Sequence, residues 1–570
     1  MSSSTAPLEL GSTNLIDLLL AEQQSLTAVE AFSAHHDEAA DAPAQARYYQ
    51  KLLPATPPGP DEQFSFEVDL DQCSGCKACV VACHTLNGLE EDESWRTVGT
   101  ITIGEPTKSE TALPRIQHVT TACHHCEDPG CLSGCPVKAY DKDPVTGVVR
   151  HLDDQCIGCK YCTMMCPYEV PKYSERLGIV RKCDMCHQRL SVGEAPACVQ
   201  SCPNEAISIR IVKTGKSFEQ TDALISNDAS CGVPSSSITT PTTIYSSEQI
   251  APTATITAQD HGVDHVAESH WPLALMLVAT QISVGMILVE RVAAVIALIA
   301  GSPLPDITAR LTATVALLIA GIGMGIAPMH LGQPMRAWRV FLGLRTSWLS
   351  REAVVLGKYM GLLSAAVALL WMPVLSDSVP EVVSNLIPSW AAKAALGSSL
   401  IVGIAGLISS AMIYVATKRQ LWRSERTMPR FLGTGIVAGV VWTTALMMFG
   451  GMPTALYVLL AAAALASVAA KFAWEWKVYL SPTGAIGDGY DARSRRLVHG
   501  SLKNATQLRI KAAAVSAVLL VTALLVGMFA MKAAAVIGLL AAMTITVGEF
   551  AERVLYFQSV VFDRMPGLLK

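Results

Sequence analysis

Hydrophobic and polar positions divide the chain into two unlike halves. From Trp271 onward, long apolar runs recur, the first being WPLALMLVATQISVGMILV (271–289), with no charge over 19 residues. A helix of that length crosses a bilayer core of about 30 Å. Comparable runs lie near 311–329, 353–375, 394–417, 431–450, 453–470, 512–530 and 533–548. They predict eight membrane-spanning helices, whose many Ala and Gly residues permit close contact in lipid. Eight successive runs do not suit the buried core of a soluble protein.

The first half has shorter periods. Leu15, Leu18, Leu19, Leu20, Val29 and Phe32 fall at helical spacing within 13–34, behind Ser12 or Thr13 as N-cap. This predicts an amphipathic helix, packed on its own domain or serving as a docking arm. The proline-rich LLPATPPGPDE cannot continue a helix. After it, alternating Phe64, Phe66, Val68 and Leu70 predict a strand. From Lys213 to Ser269 the composition turns to Ser, Thr, Pro and Asp, predicting an extended linker that contains the isolated Cys231, read as a free thiol. The expected divisions are 1–62, an N-terminal extension and spacer; 63–212, a cysteine-rich domain; 213–269, the linker; and 270–570, the membrane bundle.

Composition adds little. The 570 residues are 51% hydrophobic and 16% charged, with a formal net charge of −5 that offers no case for nucleic acid. The first arginine is Arg47, and no basic region precedes an apolar core and cleavage site, so no export signal is expected.

The cysteines change the picture, because sixteen of the 17 fall into four groups between Cys73 and Cys202. Cys73, Cys76, Cys79 and Cys83 have the spacing CxxCxxCxxxC, repeated by Cys156, Cys159, Cys162 and Cys166. This is the two-cluster ferredoxin run, in which the fourth cysteine ligates the other cluster. Cys123, Cys126, Cys131 and Cys135, and then Cys183, Cys186, Cys198 and Cys202, keep the opening and closing spacings around longer loops. Thiolate quartets suit iron–sulfur clusters or zinc, and the CxxxCP closures favour clusters. Density and periodicity stand against disulfides. Lys77, Lys160 and Lys182 beside the ligands either tune cluster potential or are solvated or paired. His124 and His125 are expected to be solvated.

The segment CPYEVPKYSERLGIVRKCDMCHQRLSVGEAPACVQSCPNEA (166–206) resembles the four-cluster electron-transfer subunit of molybdopterin oxidoreductases, the B subunit of the dimethyl sulfoxide reductase family. The resemblance implies an α+β ferredoxin-like domain holding four 4Fe-4S clusters. Their ligands would be Cys73, Cys76, Cys79 with Cys202; Cys183, Cys186, Cys198 with Cys83; Cys123, Cys126, Cys131 with Cys166; and Cys156, Cys159, Cys162 with Cys135. APMHLGQPMRAWRVFLGLRTSWLSRE (327–352), HWPL (270–273) and GEFAERVLYF (548–557) resemble the membrane anchor, or C subunit, of the same family. The chain therefore looks like a fusion of two normally separate subunits, one α+β and one an all-α transmembrane bundle of eight helices.

Anchors of this kind bind menaquinol, which directs attention to His330, at the end of the second apolar run beside Gly332, Arg336 and Arg339. Histidine titrates in the range useful for taking a quinol proton. His330, Arg336 and Arg339 are the expected site for menaquinol or ubiquinol, with Glu352 as a second proton-transfer group. Glu475 is a further possibility, whereas Glu290 with Arg291 and Glu549 with Arg553 read as structural ion pairs. Only His330 and His499 follow His270, so no haem is expected. Basic loops at 331–352, 418–430 and 471–511 place the cluster domain on the cytoplasmic side of a bacterial inner membrane, unless their role is to dock that domain.

The expected function is oxidation of membrane quinol and passage of its electrons through four clusters to a separate molybdopterin-containing catalytic subunit, acting on nitrate, an S-oxide or an N-oxide. The alternatives are the same wire run in reverse from a dehydrogenase to quinone, and an ion-translocating protein with a regulatory cluster domain. The last requires buried charges along the spans, of which few are expected.

Overall fold

The computed structural model describes residues 30, 34, 46–104, 115–215, 233–234, 238–250, 255–374, 388 and 390–567. Cys231 and the helix expected over 13–34, apart from Glu30 and Ala34, lie outside the described residues.

The cysteine-rich region is a small α+β unit. Its strands in chain order are β1 (Glu62–Asp69), β2 (Thr97–Ile103), β3 (Arg115–Thr121), β4 (Tyr140–Lys142), β5 (Val149–His151), β6 (Lys172–Ser174), β7 (Ile179–Arg181), β8 (Ile207–Lys213), β9 (Ile244–Ser246) and β10 (Ile256–Ala258). β1 is central in one sheet, antiparallel to β8 and parallel to β9, and buries Phe66, Val68 and the following Leu70. β2 is central in the other, antiparallel to β3 and β10. β9 and β10 come from the Ser/Thr-rich stretch read as a linker. That stretch completes both sheets, because short apolar runs such as Ile244–Tyr245 supply the missing edges.

Among the described residues, eight helices are long and apolar enough to cross a membrane. They are Trp271–Ile299, Asp306–Ile326, Trp348–Trp371, Ala391–Val415, Ser424–Phe449, Thr454–Glu475, Lys503–Gly527 and Met531–Gln558, the first to eighth spans below. The first and fifth cross with their backbones in contact, since a Cβ on Gly285 would lie 1.8 Å from the Gly435 carbonyl oxygen. Small residues bring lipid-embedded helices together in this way.

The sixth span runs on to Glu475 and the seventh starts at Lys503, so Lys471, Glu475 and Arg509 are helical and buried where a polar loop was expected. Glu290 pairs with Arg291 as expected. Glu549 does not pair with Arg553: it meets Lys471 and, at 3.0 Å, Arg509 from neighbouring helices. Cross-helix partners win because the interior offers them no water to compete. The expectation of few buried charges is also overturned, since Arg430, Glu552 and Arg553 are buried as well.

After the eighth span the chain climbs onto the cluster domain. Met565 is buried in that domain's core, Arg564 pairs with Glu169 at 3.0 Å, and the Gly567 N–H donates to Asp260 at 2.8 Å.

Gly285→Ala should destabilise the bundle by about 1–3 kcal/mol through overpacking. Gly325→Ala, which meets nothing within 4 Å, should not. Thermal unfolding of the two variants in detergent checks the difference.

Candidate electron-transfer site

Each CxxC opening is a turn of one kind. The residue before the second cysteine has positive φ in all four: Gly75 (73°), His125 (41°), Gly158 (68°) and Met185 (60°). Glycine takes this conformation without strain, whereas histidine and methionine need local support. His125 has it, because its Nδ1 accepts a hydrogen bond from the Val149 N–H at 3.1 Å. The closures repeat too: Lys138, Glu169 and Glu205, three residues after Cys135, Cys166 and Cys202, are all left-handed. The repeated spacing in the sequence is therefore a repeated backbone.

These turns gather the sulfurs in quartets. One cavity is lined by Cys73, Cys76, Cys79 and Cys202, and another by Cys123, Cys126, Cys131 and Cys166. Cys83 lies within electrostatic reach of Cys186 and Cys198, and Cys159 within that of Cys135 and Cys156. In every quartet the fourth cysteine comes from a different group. All sixteen described cysteines are free of disulfides.

The donors fit a group that draws charge onto sulfur. Backbone N–H groups of Ala139, Gly158, Met185 and Ala206 point at the sulfurs of Cys135, Cys156, Cys183 and Cys202 from 3.3 to 3.4 Å. Thr239 Oγ1 lies 3.4 Å from Cys126 and Thr120 Oγ1 3.5 Å from Cys79. Burial pushes the Cys166 and Cys186 thiols up to about 11. Bare thiolates there are costly, and ligation to iron removes that cost.

The quartets form a line. Cys131 and Cys135 lie in and just after one short helix but belong to different quartets, and Cys79 and Cys83 likewise share a helix. Between the inner pairs sits Lys182, fully enclosed, its Nζ 3.5 Å from Cys123 Sγ and next in sequence to Cys183. Arg96 is buried within reach of Cys79, Cys83, Cys183 and Cys198, between the Cys183 quartet and that of Cys73. Nothing in its local sequence marks Arg96, and it was missed. His124 and His125 are buried at 2% and 0% exposure, not solvated: Tyr168 packs edge-on against His124 at 4.3 Å, and His125 is the strained turn residue. Lys77 is exposed, while Lys160 pairs with Glu268 at 2.7 Å.

The Cys156 quartet faces the bundle. Gly332 packs against Gly158 and Gly178 backbone to backbone, with room for no Cβ at any of the three. The Gln333 N–H donates to Ile157 at 3.0 Å, and Tyr161, on the Cys162 helix, donates to the Ile413 carbonyl at 2.8 Å. His330, two residues before this contact, ends a short 3-10 turn. Its Nδ1–H donates to the Ala327 carbonyl, which leaves Nε2 as an acceptor. Glu352 is buried beside Ser410 and near Tyr161, with Oε1 unpartnered. Arg336 and Arg339, expected at the quinol ring, are taken up elsewhere. Arg336 donates to the carbonyls of Asp153 and Cys156 at 3.3 Å, and Arg339 to that of Asp154 at 2.6 Å. A guanidinium satisfies several carbonyls of a docked loop at once, so these two hold the domains together.

Two families match different parts of the chain. The 4Fe-4S dicluster domain family covers residues 115–211, and the DMSO reductase anchor subunit (DmsC) family covers 265–558. The B subunit of the anaerobic dimethyl sulfoxide reductase of Escherichia coli (strain K12) is 37% identical over 148 residues, which are 25% of this chain and 72% of that protein. Thiosulfate reductase electron transfer subunit PhsB of Salmonella typhi is 39% identical over 140 residues, 24% of this chain and 71% of the relative. Hydrogenase-2 operon protein HybA of Escherichia coli O157:H7 is 36% identical over 160 residues, 24% of this chain and 49% of the relative.

Lys182→Met removes a buried cation 3.5 Å from Cys123 Sγ. It should move the midpoint potential of one iron–sulfur signal to more negative values and leave the signal of the exposed Cys76 region in place. Redox-poised electron paramagnetic resonance reads both.

Proposed function

The chain belongs to the DMSO reductase anchor subunit family, carrying in the same polypeptide an iron–sulfur region related to the dimethyl sulfoxide reductase B subunit, and on that premise we propose that it oxidises membrane quinol and passes the electrons to a separate molybdopterin catalytic subunit. The observation that carries this reading is the docking of the Cys156 turn on the loop that follows His330. It brings a proton acceptor and a cysteine quartet to one place at the membrane boundary.

In this proposal four 4Fe-4S clusters occupy the quartets, with Cys202, Cys83, Cys166 and Cys135 as the exchanged fourth ligands. Each cluster supplies one-electron storage. The protein orders them, from the Cys156 quartet at the bundle, through those of Cys123 and Cys183, to that of Cys73. Cys76 is the one exposed cysteine of the sixteen. On the helix that follows and on β3, Val81, Leu86 and Ile116 are 63%, 50% and 67% exposed, apolar side chains suited to a catalytic partner.

At the other end His330 Nε2 and Glu352 take the quinol protons. Menaquinol or ubiquinol enters from lipid past the amphipathic segment Pro334–Gly343, where Met335 and Trp338 are 89% and 65% exposed. The cluster domain is placed on the cytoplasmic face of a bacterial inner membrane. Exposed Arg345, Arg423 and Lys477 on that side support this beyond the arginines used in docking. The names of the dimethyl sulfoxide and thiosulfate reductase relatives favour a sulfur-containing acceptor over nitrate. Similarity to the hydrogenase-2 operon protein supports a second reading, in which a dehydrogenase partner drives electrons the other way into quinone.

His330→Ala should slow quinol-dependent iron–sulfur reduction about 100-fold or more, the scale of a lost proton acceptor. Signals reduced chemically should stay intact. Stopped-flow reduction by a quinol, at the wild-type rate in this variant, would remove His330 from the proposal.

A further inference from the structure

The bundle interior holds a second set of charges, away from His330. Part of it is closed. Arg509 donates Nε and Nη2 to Glu475, both at 2.8 Å, and Glu549 meets Lys471 while accepting from Thr434 at 2.7 Å. An ion-paired structural network accounts for those four, with only Arg509 Nη1 and Glu549 Oε1 left without a hydrogen-bond partner.

It does not account for Glu552. This carboxylate is fully buried, yet neither oxygen has a hydrogen-bond partner. Its nearest cations stand off, Arg430 Nε at 3.4 Å and Arg553 Nη2 at 3.6 Å. Nε of Arg430, and both Nε and Nη1 of Arg553, are unpartnered too. Ionisable groups inside a membrane bundle pair with one another or face a water-filled cavity, and the open hydrogen-bonding positions around this loosely paired trio suit bound water.

A cleft from solvent reaches Arg430, whose Nε lies 3.4 Å from Glu552. Its mouth is the Arg426–Asp491 pair, whose side chains are 30% and 51% exposed on the cluster-domain side. Its floor is Arg430, Tyr479 and Tyr556. A π-helical turn, Trp476–Leu480, sets the Tyr479 ring 4.1 Å from the Arg430 guanidinium, and such turns recur at functional sites.

On its inner side the same set approaches Glu352. Tyr414 lies within electrostatic reach of Glu352, Arg553 and Tyr556, and its ring is 5.5 Å from that of Tyr556. The direct way out of Glu352 is covered by the cluster domain, where Ser347 and Ser350 bond to the Gly134 and Pro136 carbonyls at 2.7 and 3.3 Å.

We propose that Glu552, set between Arg430 and Arg553, is the relay group of a hydrated path that carries protons from Glu352 to this cleft. The inference rests on the quinol reading above and adds the route of the proton. Each quinol oxidised to quinone gives up two electrons and two protons. The electrons enter the cysteine-lined wire one at a time, and the protons leave the two ring O–H bonds for His330 Nε2 and the Glu352 carboxylate. From Glu352 a proton crosses water beside Tyr414 to the Glu552 carboxylate. It then passes to water at the Tyr479 hydroxyl and out between Arg426 and Asp491.

The test uses the whole complex in liposomes, with a water-soluble quinol as donor. Glu552→Gln should lower kcat at least ten-fold with KM for quinol unchanged, raise the solvent deuterium isotope effect, and regain turnover when formic acid is added as a permeant proton carrier. Chemically reduced iron–sulfur signals should be unaltered. Wild-type kcat and isotope effect in an assembled Glu552→Gln complex overturn the proposal and leave a structural network. Should that variant fail to assemble, Tyr479→Phe, which removes only a hydroxyl, must show the same raised isotope effect, and a wild-type value there overturns it equally. If the unmutated complex shows no quinol-dependent reduction, the quinol reading fails and the relay falls with it.

Discussion

The approach of Gly332 to Gly158 and Gly178 is the contact on which the rest of the molecule depends. Three glycines from two domains meet without side chains, so the loop after the second span lies directly on the turn that carries Cys156 and Cys159. A side chain at any of them would push the cluster domain away from the membrane. Arg336, Arg339, Tyr161 and Ser347 then fasten it with hydrogen bonds to main-chain carbonyls. In the proposed reaction electrons cross this separation, which the three glycine backbones set and the two arginines help to hold.

Inside the cluster domain the same economy recurs. Four left-handed residues open the CxxC turns, N–H groups bond to sulfur, and two buried cations, Arg96 and Lys182, stand between successive quartets. Glycine serves at Gly75 and Gly158. His125 and Met185 occupy the equivalent places with side chains that also fill the core, which is why a histidine beside a cysteine ligand is here a packing residue.

The four cysteine groups and the spans were legible because each rests on a local signal, fixed spacing in one case and uninterrupted apolar length in the other; which groups exchange their fourth cysteines is not in the spacing and came only from the family resemblance. Charges defeated the reading of the sixth and seventh spans. Lys471, Glu475 and Arg509 look like loop residues in a linear window, and only the three-dimensional meeting of the sixth, seventh and eighth spans neutralises them. Arg336 and Arg339 misled for the opposite reason. Their positions near His330 in sequence are real, but the direction of a long side chain is decided by the carbonyls it finds, and those belong to the docked domain. Strands β9 and β10, three residues each, carry too short a pattern to be distinguished from the Ser/Thr-rich chain around them.

The segment after the eighth span gives the fold a chronology. Met565 is part of the core that Phe66, Val68 and Val119 build, yet the ribosome delivers it only after all eight spans have been made. The core of the cluster domain therefore lacks this residue until the chain beyond the eighth span has been made. Joining two subunits in one polypeptide thus ties completion of the electron-carrying domain's core to a residue synthesised after the last span.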